Sequence, residues 1–229
     1  VSIADRLAQV HERIERAARS CGRDSAGVKL VAVSKTMGAS AVRDAYAAGQ
    51  RAFGENYAQE LQSKAAALVD LPDLEWHFIG HLQTNKAKVV AKLAHVVHTV
   101  DSAALAQQLG RRVAFEQRPS RLPVLIEVNV GGEPQKAGAA AGEIAEVAAA
   151  VQAEPTLALR GLMTMPQAGD LESARRVFET VVTLRNLHGG PAVLPELSFG
   201  MTADLEVAIA CGATMVRVGA GVFGPRGIG

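Results

Sequence analysis

The chain has 229 residues and a net charge of +1, from 24 basic and 23 acidic side chains; 48% of it is hydrophobic but only 4% aromatic. Such a length supports a sizeable core, filled here by Val, Leu, Ile and Ala. The even charge balance excludes a basic field for nucleic acid or anionic lipid, so Arg111-Arg112 reads as a solvated helix face.

Ile3, Leu7, Val10, Ile14 and Ala17 follow i, i+3/i+4 spacing and predict an opening helix over about 3–19, with Ser2 as its N-cap and Cys21-Gly22 as its stop. The run Val28 to Val33 reads as a buried strand, followed by a helix at 40–48. Further strands are expected at about 51–53, 75–79, 96–99, 124–129, 158–163, 196–198 and 214–218. Helices are expected at about 56–69, 84–93, 102–116, 140–152, 171–187 and 203–211. The stripe Leu171, Ala174, Val177, Val181, Leu184 and Leu187 is the clearest of them.

Strict alternation implies parallel strands covered by helices. Eight strands and eight helices with short loops favour a closed (β/α)8 TIM barrel over an open doubly wound sheet. The opening helix would cover the seam beside the last strand. Residues 1–229 read as one domain: Gln117 to Arg121 is an exposed connection, and the Ala-rich stretch Ala137 to Ala150 keeps Ile144 and Val147 at helical spacing.

Cys21 and Cys211 stand alone, outside any CxxC pair or metal-ligand spacing. The opening pattern is amphipathic rather than that of a secretory leader, and no uncharged run approaches the ~18 residues of a membrane span. The reading is a reduced, cytoplasmic protein with two structural thiols.

In barrels of this kind chemistry sits at the C-terminal ends of the strands, and the loops after the last two strands often bind phosphate. Lys35 follows an apolar strand end, where a lowered pKa would let its neutral amine attack an aldehyde; alone, it would read as an exposed strand-end lysine. Ser198-Phe199-Gly200-Met201-Thr202 precedes a helix expected from Ala203, which would make an anion cradle of N–H groups. Gly219-Ala220-Gly221 can add donors or simply make a tight turn. Arg217, inside an apolar strand, has two readings: an ion pair with Glu206 or Glu127, or a donor to a cofactor ring nitrogen. His81 either lines the mouth or is structural. Met163 and Met165 read as pocket wall, and Asn56 and Asn129 as ligand-orienting or loop-capping groups. His77, His95 and His98 form no zinc-binding array.

Several blocks together closely resemble the pyridoxal phosphate homeostasis proteins (the YggS/PROSC family). They are Val31-Ala-Val-Ser-Lys35, Phe53-Gly-Glu-Asn-Tyr57, Trp76 to Lys86, Gly161-Leu-Met163, Ser198 to Thr202, Arg217-Val-Gly219 and Val222-Phe-Gly224. The likeness runs from about residue 30 to the end. It implies a barrel like the N-terminal domain of alanine racemase and pyridoxal 5'-phosphate (PLP) held as a Schiff base on Lys35. It further implies Arg217 at the pyridine nitrogen, phosphate on the Ser198 to Thr202 and Gly219 loops, and a carrier or regulator of PLP without established enzymatic activity. The expected cofactor-binding set is Lys35, Asn56, His81, Met163, Ser198, Gly200, Thr202, Arg217, Gly219 and Ala220, with PLP and, in turn, apo-PLP enzymes as partners of a monomer. Two positions depart from the family: Ala220, where Ser or Thr is common, and Phe199, where Met often stands. Ala220 leaves only its backbone N–H for phosphate.

The competing reading is a single-domain PLP-dependent racemase. Racemases on this barrel carry a second, β-rich domain and a catalytic tyrosine across a dimer, whereas here the barrel accounts for the residues given. Tyr46 falls within a helix and Tyr57 starts one. An arginine at the ring nitrogen leaves the pyridine unprotonated, a poorer electron sink. A third reading, a Schiff-base aldolase, would need an acid/base pair in the mouth, where Glu55 is the clear carboxylate.

Overall fold

The structure is a computed structural model that describes residues 1–131, 137–166 and 170–225. Strands β1 (Lys29–Val33), β2 (Ala52–Glu55), β3 (Glu75–Phe78), β4 (Val96–Val100), β5 (Leu122–Glu127), β6 (Leu157–Met163), β7 (Glu196–Ser198) and β8 (Met215–Val218) close into a parallel barrel in chain order. β8 returns to β1, with Val31 beside Arg217. This is the (β/α)8 barrel expected from the alternation.

Helices α1 (Ile3–Ser20), α2 (Ala39–Ala47), α3 (Ala58–Ala67), α4 (Ala87–Leu93), α5 (Ala103–Phe115), α6 (Ile144–Ala153), α7 (Leu171–Leu187), α8 (Gly190–Val193), α9 (Leu205–Ala210) and α10 (Ala220–Phe223) surround it. Ser2 caps α1 in a capping box with Asp5, and Leu7, Val10, Ile14 and Ala17 are buried. α1 packs on α9 and α10 and so covers the seam beside β8. No helix among the described residues is long and apolar enough to cross a membrane.

Alternation along each strand sorts the side chains. Leu30, Ala32, Phe53, Trp76, Phe78, Val97, Val124, Ile126, Leu162, Leu197, Val216 and Val218 pack with the helices in one apolar cluster. The opposite faces of β3, β4, β7 and β8 carry His77, His98, Ser198 and Arg217, all buried. An interior this polar costs free energy unless every group is paired, and the pairing is what fixes the site.

Candidate cofactor site

Lys35 is half-buried two residues beyond β1, and its neighbours are tied down on both sides. Ser34 Oγ donates to Glu55 Oε1 at 2.5 Å. Thr36 adopts φ 65°, an uncommon left-handed conformation for a residue with a Cβ, and its N–H donates to Glu60 Oε2 at 2.8 Å. Lys64 of α3 completes the cluster, with Nζ 2.7 Å from Ser34 O, 2.7 Å from Glu55 Oε1 and 2.9 Å from Glu60 Oε2. Glu55 therefore belongs to an ionic group between strands and α3, not to the mouth as the sequence suggests, and its Oε2 is left without a hydrogen-bond partner. Burial raises its pKa against the pull of Lys64 and Ser34.

The inner carboxylate is Glu127 instead. It is buried at the end of β5, with Oε2 lacking a hydrogen-bond partner. Burial, reinforced by Asp101 and opposed by Arg217, pushes it up to about 7.

Arg217 lies at the centre of the polar interior, with 3% of its surface exposed. Nη1 donates to Ser198 Oγ at 2.6 Å and Nη2 to Thr164 O at 3.0 Å. Glu206, one of the partners weighed for it, is taken by Arg13 at 2.7 Å. Glu127, the other, acts on Arg217 through its field: burial brings the guanidinium down to about 10 while Glu127 holds it up. Ser198 Oγ also meets His98 Nδ1 at 2.8 Å, and His98 Nε2 meets His77 Nδ1 at 2.8 Å. The side chain of Ser198 thus turns to Arg217 and His98. Burial lowers the pKa of both histidines, that of His98 well below its ordinary value.

The loop after β7 differs from the expected cradle. α9 begins at Leu205 rather than Ala203, and Asp204 Oδ1 accepts from Met201 N–H at 2.5 Å, so that donor is already used. Thr202 Oγ1 accepts from Gly221 N–H at 3.3 Å and stitches this loop to the start of α10, where Gly219 is the N-cap. The N–H of Ala220 opens α10 and has no intrahelical acceptor. Gly200 has φ 95°, and a Cβ there would lie 2.4 Å from Ala208 Cβ. Phe199 points away from the barrel and stacks on Phe178, centroids 4.5 Å apart at 10°. Its departure from the common Met is therefore a matter of helix packing.

Asn56 sits at the rim of a 440 Å³ depression shared with Tyr57, Gly80, His81 and Lys86. Gly80 is required there, because a Cβ would fall 2.0 Å from Asn56 O. Asn56 Oδ1 is buried without a hydrogen-bond partner. His81 is largely exposed, 3.7 Å from Asp101. Met163 is fully buried between Glu127 and Ser198 on the neighbouring strands. Lys35, Ser198, Arg217 and Gly219 thus fall on three consecutive strands, β7, β8 and β1. The sequence reading gave His77 and His98 no role beyond excluding a zinc array, and Glu127 only a place as a possible partner of Arg217. Their only signal was a polar residue inside an apolar strand.

An amine at a strand end, an oriented buried cation and glycine-rich loops on a TIM barrel are groups whose chemistry suits an anionic aldehyde. The family model for the alanine racemase N-terminal domain matches residues 6–227. The pyridoxal phosphate homeostasis protein of Pseudomonas aeruginosa is 47% identical over 236 residues, 100% of this chain and 97% of the relative. PipY of Synechococcus elongatus, solved with PLP bound, is 36% identical with a TM-score of 0.84 over 97% of this chain and 100% of that one. Alanine racemase of Corynebacterium glutamicum shares the fold, at 20% identity and a TM-score of 0.66 over 97% of this chain and 62% of the racemase. The chain belongs to the alanine racemase N-terminal-domain family and, within it, to the pyridoxal phosphate homeostasis proteins.

Proposed function

We propose that the chain binds PLP as a Schiff base on Lys35 and serves as a non-catalytic holder of the cofactor, a cytoplasmic monomer that supplies apo-PLP enzymes. The observation that carries this reading is Arg217, a buried cation held by Ser198 and Thr164 in the mouth that Lys35 borders. The residues fit the group: an amine for the aldehyde, a cation for the ring nitrogen, and the unfilled acceptor of Asn56 for a polar substituent. Bound PLP supplies an electrophilic aldehyde and an electron-withdrawing ring. Ser198 and Thr164 fix the guanidinium plane, while Glu60 at Thr36 N–H and Lys64 at Ser34 O fix the backbone around Lys35. The Gly219 turn and the N–H of Ala220 receive the phosphate.

Two features support holding over turnover. Arg217 offers only donors, so the pyridine nitrogen keeps its lone pair and the ring draws electrons weakly. Both tyrosines lie outside the polar interior: Tyr46 Oη bonds Asp73 between outer elements, and Tyr57 is 56% exposed. One feature favours the racemase reading, namely Glu127, whose Oε2 has no hydrogen-bond partner and whose pKa is pushed up to about 7, a value suited to moving a proton. The deciding experiment incubates holo-protein with L-alanine in D2O, with free PLP as control. Loss of the α-proton no faster than the control supports the holder. Inversion well above it, abolished by both Lys35→Ala and Glu127→Gln, makes the protein a racemase.

A further inference from the structure

We infer that a one-way hydrogen-bond chain through the barrel, Arg217 to Ser198 to His98 to His77, ending against Glu75 at the opposite face, positions Arg217 for its ligand. His98 and His77 are thus positioning residues, remote from the cofactor. The inference rests on the reading of Arg217 as the ring-nitrogen partner.

The direction follows from counting protons. Arg217 is a cation and can only donate, so Ser198 Oγ accepts from it at 2.6 Å. The hydroxyl proton of Ser198 is free to go to His98 Nδ1, 2.8 Å away; the reversed order, with both rings protonated on Nδ1, would turn a bare His77 Nε2 toward the Glu75 carboxylate. A bare Nδ1 puts the proton of neutral His98 on Nε2, which donates to His77 Nδ1 at 2.8 Å. His77 must in turn carry its proton on Nε2, and that N–H faces Glu75 Oε2 at 3.5 Å. The last link is long, an electrostatic contact rather than a hydrogen bond. Glu75 is anchored by Lys29 at 2.8 Å and stands at the mouth of a 580 Å³ basin on the N-terminal face of the barrel. A cationic His98 would reverse the first links, but complete burial and the neighbouring Arg217 oppose that charge. Both rings are therefore neutral and protonated on Nε2.

The chain matters at its Arg217 end. A hydroxyl that gives away its own proton is a stronger acceptor, so His98 strengthens the Ser198 hold on Nη1. Without that hold only the Nη2 bond to Thr164 O orients the guanidinium, and the pull of Glu127, whose Oε2 has no hydrogen-bond partner, can tilt it away from the ligand. Asparagine at position 98 offers an acceptor where Nδ1 lies, while leucine offers none.

The test has two independent parts. In the apo-protein, long-range 1H–15N spectra of the histidine rings should show both His77 and His98 as neutral Nε2–H tautomers. An Nδ1–H or cationic His98 overturns the chain whatever the cofactor does. In the PLP-loaded protein, His98→Leu should shift the visible band and weaken PLP by roughly tenfold, the equivalent of about 1.4 kcal/mol, and His98→Asn should restore both. An unchanged band and affinity in His98→Leu, or equal losses in the two variants, reduces His98 to a structural residue and overturns the positioning role. Absence of a visible band in the wild type instead defeats the cofactor reading, and the positioning role with it, while the tautomers still decide the chain.

Discussion

Two groups of buried charges stand at the C-terminal half of the barrel, and they differ in whether their opposite charges bond each other. In the cluster of Ser34, Glu55, Glu60 and Lys64 the charges bond directly: Lys64 has three oxygen partners within 2.9 Å and Glu55 Oε1 is engaged twice, while Glu55 Oε2 is left without a hydrogen-bond partner. In the inner group of Arg217, Ser198, His98 and Glu127 the opposite charges do not bond each other: Arg217 is held by Ser198 Oγ and Thr164 O, and Glu127 Oε2 is left without a hydrogen-bond partner. Charges bonded to each other fix geometry, whereas a cation and a carboxylate not bonded to each other keep capacity for something else. The outer cluster therefore reads as scaffold that holds the turn at Thr36, and the inner group as the part that meets a ligand.

Breaking the scaffold should have the largest effect on stability. Lys64→Ala leaves Glu55 buried without its counter-charge and should cost about 3–5 kcal/mol, read as a lower urea midpoint. A double replacement, Lys64→Met with Glu55→Leu, should recover most of it, because well-packed apolar residues often replace a buried pair at little cost. If Lys64→Ala alone is neutral, the cluster is not what holds the β1 turn.

The inner group should respond to pH. Folding raises the Glu127 pKa from 4.5 to about 7, so the folded state binds this proton more tightly than the unfolded one. Its contribution to stability is intact below about pH 4.5 and is lost as pH rises through about 7, to a total on the order of 3 kcal/mol. Glu127→Gln should flatten that decline, seen by comparing denaturant midpoints at about pH 5 and about pH 8. An equally steep decline in the variant would remove Glu127 as its source.

The smallest effect belongs to the helix layer. Phe199→Leu gives up the ring stack on Phe178, worth about 0.5–1.5 kcal/mol beyond area, and should leave PLP affinity unchanged. A large loss of affinity would mean that this position reaches the mouth after all.

The architecture was legible because β/α alternation and apolar periodicity are local properties. β7 at 196–198 and α7 at 171–187 coincide with the expected spans. The short helices α8 and α10 were not legible, since four residues are too few to show a period. The expected start of α9 fell two residues early because Asp204 turns its carboxylate onto Met201 N–H and holds the preceding turn open. Lys35 and Arg217 stood out as charges at the end of, or inside, apolar strands. Ser198 stood out as well, but as a phosphate-loop residue; its pairing with His98 did not, because the two lie on β7 and β4, strands that are not adjacent and meet only once the barrel closes. The face of Glu55 was misread for the same reason. One step of strand parity decides whether a carboxylate looks into the barrel or toward α3.

The central claim, that Lys35 holds PLP in this mouth, is tested most directly by chemical trapping. Purified protein is loaded with PLP, its visible spectrum recorded, the sample reduced with borohydride, and the modified peptide mapped by mass spectrometry beside Lys35→Ala. The account predicts a visible band that reduction abolishes, a pyridoxyl group on Lys35, and neither in the variant, which should fold normally because a half-buried strand-end lysine adds little to the core. A stable reducible band in Lys35→Ala, or a wild-type label on a different lysine such as Lys64 or Lys86, would contradict it.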